Sequence, residues 1–374
     1  MSLLGKSPKV MDNYLSRIWT GNNQLLNVAK QYMFALVQEQ EIFSKKWIAD
    51  HSEGLTLRQS DYFLRKGKWN EKELNLNRLH FINASRQSMT RNEGVLILDD
   101  TGVKRYKKDD ERGIGWQYSG ELDGVGYCKI VVTAHYADEK RNFPIDLECY
   151  YKGEESKIEL AKSLIEQAIE AGIRFTTVIF DSWYLCKELT DFIASKGKTW
   201  ISQPKDNRNV ILKDGQKMKV SSLVTAASID SSDLLLGHLS DLGEVGFVKM
   251  EADEAGHGRV VATNALTFSA DEIRTLYDLR VVIEQFYRIA KQQMNFRSFR
   301  VHDAVQISRH WYLIFATYTF CILAKLKGWL SKIVSFSITC VSDVVKTLRL
   351  LNLVQLTQKD TNVYMATVGL KVLN

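Results

Sequence analysis

Residues 94–102 read GVLILDDTG. Four apolar residues, Val95 to Leu98, run straight into two aspartates, a threonine and a glycine. A short unbroken apolar run closed by turn-forming residues is the pattern of a buried strand. The pattern returns in FTTVIFDSWY (175–184), where Asp181 closes the run. Between the two lie YCKIVVTAHYAD (127–138) and FPIDLECYY (143–151), rich in β-branched and aromatic residues. KIELAKSLIEQAIEAG (157–172) follows, an amphipathic helix with Gly172 where a C-cap glycine belongs. Beyond Asp181 come a second helix, LCKELTDFIASKG (185–197), and a further strand, TWISQP (199–204). Three strands, helix, strand, helix, strand predicts an α/β fold with a ribonuclease-H-like mixed sheet. The strict alternation of a dinucleotide-binding fold is absent, and no GxGxxG follows a strand.

Outward from this core the pattern changes in both directions. Residues 1–90 read as helical, with apolar residues at helical spacing in QLLNVAKQYMFALVQ (24–38) and LRQSDYFLRKGKW (57–69). The second segment carries Arg58, Arg65, Lys66 and Lys68, suited to DNA or to a solvated helix face. DERGIGWQYSGELDGVG (110–126) reads as a polar, Gly-rich loop. The loop 107–126 would touch DNA through Lys107, Lys108 and Arg112 or serve as a solvated connector. Residues 205–268 break into short strand-like pieces separated by Gly and Asp, a β-rich insertion. Helix resumes after Ser269, with Glu272 completing a capping box, and residues 301–374 are mostly helical. The expected divisions are therefore 1–90, a helical region; 91–204 plus 269–300, the α/β core; 205–268, the insertion; and 301–374, a C-terminal helical region.

Composition sets limits. Of 374 residues, 45% are hydrophobic and 25% charged, ordinary for a folded chain. The net charge is +6. Residues 271–374 hold 14 Lys+Arg against 7 Asp+Glu, leaving the rest nearly neutral at 36 against 37. The basic excess can follow a phosphate backbone or simply face solvent. Five cysteines are scattered without a CxxC pair, so neither a zinc site nor a disulfide framework is expected. His135, His238 and His310 lack metal spacing. The N-terminus has no long apolar signal segment, and WYLIFATYTFCILA (311–324) is too short to span a bilayer comfortably. A cytoplasmic protein with no membrane partner is expected.

LYDLRVVIEQFYRIAK (276–291) reads as one amphipathic helix. At about 100° per residue, Tyr277, Arg280, Glu284 and Lys291 fall at roughly 0°, −60°, −20° and −40°. The apolar residues lie opposite. Such a stripe is usually a solubilising surface. Three carboxylates change the weighing. Asp99 and Asp181 each end an apolar strand, and in open α/β sheets such ends converge on the ligand site. If the helix bearing Glu284 crosses that edge, three acids meet and repel unless a divalent cation sits among them. Hard oxygen donors suit Mg²⁺, and two such ions would promote in-line displacement at phosphorus. Tyr277, Arg280 and Lys291 would then hold phosphates.

In the order Asp99, Asp181, Glu284, the chain resembles the DDE transposases of bacterial insertion sequences. Tyr277-x₂-Arg280-x₃-Glu284-x₆-Lys291 matches the YREK signature of their cut-and-paste group without a gap. LILDDTG and FDSWY are similar to the first and second catalytic blocks. The resemblance spans about residues 94–310. It implies catalytic, metal-binding roles for Asp99, Asp181 and Glu284 with two Mg²⁺ ions, Mn²⁺ substituting. It implies DNA contacts from Tyr277, Arg280 and Lys291. The implied partners are double-stranded DNA, as terminal inverted repeats and target, and a second copy of the chain on that DNA, joined through the C-terminal helices. When bound, the protein would accompany the bacterial nucleoid. Strand alternation aims only one of Asp99 and Asp100 inward, and the family block places the ligand first. Trp183 or Trp200 would either stack on a flipped base or pack in the core. A nuclease without strand transfer and a domesticated DNA-binding protein remain as alternatives.

Overall fold

The computed structural model describes residues 4–39, 43–105, 113–120, 123–225, 234–251, 258–298 and 303–367. Lys107, Lys108 and Arg112 lie outside them. In chain order the elements are α1 (Lys9–Ile18), α2 (Asn23–Gln38), α3 (Lys45–His51), α4 (Leu57–Arg65), α5 (Glu71–Asn83), β1 (Val95–Lys104), β2 (Ile114–Ser119), β3 (Gly124–Ala137), β4 (Asn142–Cys149) and α6 (Lys157–Glu170). Then come β5 (Thr177–Phe180), α7 (Lys187–Ser195), β6 (Thr199–Ser202), β7 (Asn209–Leu212), β8 (Lys217–Lys219), α8 (Val220–Thr225), β9 (Leu235–Leu239), β10 (Gly243–Met250) and β11 (Arg259–Thr263). The chain ends with α9 (Ala270–Asp278), α10 (Val281–Gln293), α11 (Ala304–Lys327) and α12 (Val341–Thr367).

Two compact units result. One holds the described residues from Thr90 to Gln285, the other those up to Met89 and from Phe286 onward. The first unit is built on one mixed sheet of eleven strands among the described residues, ordered β2-β3-β1-β5-β6-β11-β10-β9-β7-β8, with β4 also on β3. β1 pairs antiparallel with β3 and parallel with β5, and β5 runs parallel to β6. The order β4-β3-β1-β5-β6 with one antiparallel central neighbour is the ribonuclease-H arrangement expected from the sequence. The strands of residues 209–263 extend the same sheet past β6, because β11 pairs with β6. Val95 to Leu98 and Val178 to Phe180 are wholly buried, as continuous apolar runs require. α6 packs on β3 and β4, and α9 on β6 and β10. Gly172 takes φ +72° just past α6, the left-handed position a side chain would resist.

Two local expectations are corrected. Part of the supposed loop 110–126 is strand: β2 pairs with the first half of β3, Trp116 opposite Tyr127 and Tyr118 opposite Val125. And residues 276–291 are not one helix. α9 ends at Asp278 and α10 starts at Val281. Across this junction Leu279, Arg280 and, in the first turn of α10, Val282 and Ile283 donate backbone bonds three residues back, to Leu276, Tyr277, Leu279 and Arg280. These tight turns break the i→i−4 ladder without proline or glycine.

In the helical unit α11 is the core element, buried almost throughout from Gln306 to Ala324. Arg309 lies within this core. Its guanidinium donates to the carbonyls of Leu64, Gly67 and Trp69 at 3.0, 3.1 and 2.8 Å and pairs with Glu71 at 3.2 Å. His310 meets the Tyr32 hydroxyl at 2.8 Å, a structural contact. Among the described residues no helix is long and apolar enough to cross a membrane.

Candidate active site

The register of β1 and β5 brings the two aspartates together, but only Asp181 follows a strand end: β1 runs on past Asp99 to Lys104, because its antiparallel pairing with β3 continues after β5 stops. Leu98 pairs with Phe180, so Asp99 and Asp181 stand one step further on, side by side on neighbouring parallel strands. Such strands lie about 4.8 Å apart. Asp181 is oriented by its own turn: Oδ1 accepts from the backbone amides of Trp183 at 2.9 Å and Tyr184 at 3.3 Å. The Asx turn that Asp-Ser allows is thus present, and it aims the carboxylate.

Asp99 and Asp100 part company as strand alternation requires. Asp100 Oδ2 accepts from Lys157 Nζ at 2.9 Å and from the Tyr184 hydroxyl at 3.0 Å. Lys157 in turn stands 4.9 Å from the ring centre of Trp183. Asp99 instead accepts from the Asp100 amide at 2.8 Å and faces Arg280 and Asp181. Burial pushes the Asp99 carboxyl up to about 7; Arg280 opposes this, while Asp181 and Asp100 add to it. Burial also raises Asp181, against the two turn amides and Arg280.

The break between α9 and α10 places Arg280 at this edge. Its Nη1 lies 2.8 Å from Glu284 Oε1. Burial, which alone would lower the guanidinium pKa, is outweighed by Asp99, Tyr277, Glu284 and Asp181, and the net direction is upward. Tyr277 is buried, 5% exposed, rather than part of an open stripe; burial raises its hydroxyl, and Asp181 and Glu284 act on it. Five of the six residues singled out from the sequence, Asp99, Asp181, Tyr277, Arg280 and Glu284, therefore share one electrostatic environment. Lys291 falls in the helical unit, its Nζ 5.1 Å from the Tyr287 ring centre. Among the described residues no three acidic, His or Cys side chains are drawn together tightly enough to hold a metal ion. Trp200 is core, 2% exposed, while Trp183 is 47% exposed. Sequence reasoning missed Lys157 and Tyr184; Tyr184, next to the turn after Asp181, was the readable signal.

A ribonuclease-H-like sheet with acids side by side on its central strands is a scaffold that nucleic-acid-cutting enzymes use. Residues 90–320 match the family model of the transposase DDE domain, and the chain belongs to that family. It is a DNA transposase. No curated protein matches its sequence. Among solved structures, the chain is similar to the piggyBac transposase synaptic complex with hairpin DNA, at 11% identity and TM-score 0.48, over 92% of this chain and 70% of that one. Endonuclease V from Bacillus subtilis gives 13% identity and TM-score 0.27 over 59% and 94%. The Drosophila P element transposase strand transfer complex gives 11% and 0.20 over 84% and 88%.

Proposed function

We propose that the chain is the transposase of a bacterial insertion sequence, and that Asp99, Asp181 and Glu284 hold two Mg²⁺ ions that Mn²⁺ can replace. What supports the reading is the side-by-side seating of Asp99 and Asp181 with Glu284 one ion pair away. The donor chemistry fits: all three are hard oxygen ligands, and the half-buried Asp99 carboxyl, lifted to about 7, is a group that a nearby cation would ionise. When bound, the ions would activate water or a 3′-hydroxyl and steady the leaving oxygen at phosphorus.

The chain's own residues supply the rest. Turn amides fix Asp181, and Lys157 with Tyr184 holds Asp100 away as a supporting group. Tyr277, Arg280 and Lys291 contact the transposon end, the two cations through its phosphates. The N-terminal helical region binds terminal inverted repeats, and the C-terminal helices pair two copies on the DNA. Exposed Leu350, Leu353 and Val354 give α12 an apolar stripe suited to that pairing.

The test is a gel assay with end-bearing duplex and target DNA in Mg²⁺. Wild type cleaves and joins. Asp181→Ala still shifts the duplex but leaves it unnicked. Normal nicking by this variant removes the site assignment, and cleavage without joining would make the enzyme a nuclease.

A further inference from the structure

The carboxylates already have a cation among them. Arg280 Nη1 sits 2.8 Å from Glu284, and the same guanidinium is the largest attractive charge acting on Asp99. Its Nε is buried and makes no hydrogen bond among the described residues. A guanidinium has five donors in a planar fork, and a phosphate would satisfy Nε and an Nη together. Its present contact with Glu284 leaves that edge of the fork unmet. The Glu284 side chain is 54% exposed, so the ion pair is screened and weak, and a divalent ion can displace it.

We infer that Arg280 is the built-in counter-ion of the acid pocket, competing with divalent cations for Glu284 and the two aspartates and released to a DNA phosphate when metal binds. The inference rests on the metal-site reading above. Metal loading and the grip on DNA are then linked: each divalent ion that seats frees the fork, and a phosphate that takes the fork opens the acids to metal. The position of Arg280 in the break between two helices suits it to both partners, since neither helix fixes its backbone in an i→i−4 ladder.

The experiment measures Mn²⁺ binding to the full-length, DNA-free protein by the electron paramagnetic resonance signal of free Mn²⁺. Arg280→Gln, with Arg280→Ala as a second variant should one misfold, binds Mn²⁺ about tenfold more tightly than wild type, because a positive charge has left the pocket. Arg280→Lys keeps the charge and stays near the wild-type affinity. A merely structural role for Arg280 would weaken binding or leave it unmoved. Unchanged or weaker affinity in the neutral variants, with Asp181→Asn still abolishing binding, overturns the counter-ion role and leaves the metal site standing. Unaltered Mn²⁺ binding by Asp181→Asn overturns the site reading itself, and this inference with it.

Discussion

Replacing Asp99 by Asn should stabilise the protein, and only at the right pH. The carboxyl sits at about 7 in the fold against an ordinary 3.8. A raised acid pKa means that the folded state binds the proton more tightly than the unfolded state. The stabilising contribution is complete below about 3.8 and is lost as pH rises through about 7. Above that the ionised group opposes folding by at most about 4 kcal/mol, at ~1.4 kcal/mol per pK unit. Asp99 keeps some contact with solvent, so roughly 2 kcal/mol is the working figure. Asn preserves shape and removes the charge. In urea unfolding followed by tryptophan fluorescence, with Trp116, Trp183 and Trp200 reporting the sheet unit, the variant should exceed wild type by about 2 kcal/mol at pH 8. The difference should shrink steadily towards pH 4. Millimolar Mg²⁺ should raise wild type and leave the variant unmoved. A variant less stable than wild type at pH 8, or an advantage independent of pH, would refute the reasoning.

Asp100→Asn should behave oppositely: it strips the charge that holds Lys157 and Tyr184, lowering stability by about 1–2 kcal/mol in the same urea experiment, while Mn²⁺ affinity stays within a few-fold of wild type. Arg309→Leu should be severe, about 3–5 kcal/mol, because three buried carbonyls and Glu71 lose their partner; calorimetry should show the helical unit melting early.

The core of the fold was legible because each central strand is a local pattern. VLIL before Asp99 and VIF before Asp181 are buried on both sides, so continuous hydrophobicity marks them without reference to neighbours. Their adjacency was legible through strand order. β2 was hidden because its alternation of Ile114, Trp116 and Tyr118 runs through glycines and faces largely outward; its pairing comes from β3 rather than from its own composition. The break at Leu279–Arg280 was invisible for a different reason. Tight turns keep nearly the helical rotation per residue, so the apolar period continues across it. Tyr277 was placed on the polar stripe for its hydroxyl, yet its ring buries more surface than the hydroxyl can offset. The i,i+4 spacing of Arg280 and Glu284 was readable. That the guanidinium also faces Asp99 was not, since this needs the sheet edge to be built first. No local signal ties the helices before Met89 to those after Phe286, although they form one unit.

Anomalous diffraction from crystals of the full chain, grown with an end-bearing duplex and soaked in Mn²⁺, examines the shared metal site most directly. The expected map has manganese peaks bounded by the carboxylates of Asp99, Asp181 and Glu284, with Arg280 turned to a phosphate. Peaks seated elsewhere, or a manganese-loaded crystal in which Glu284 still holds Arg280, would contradict it.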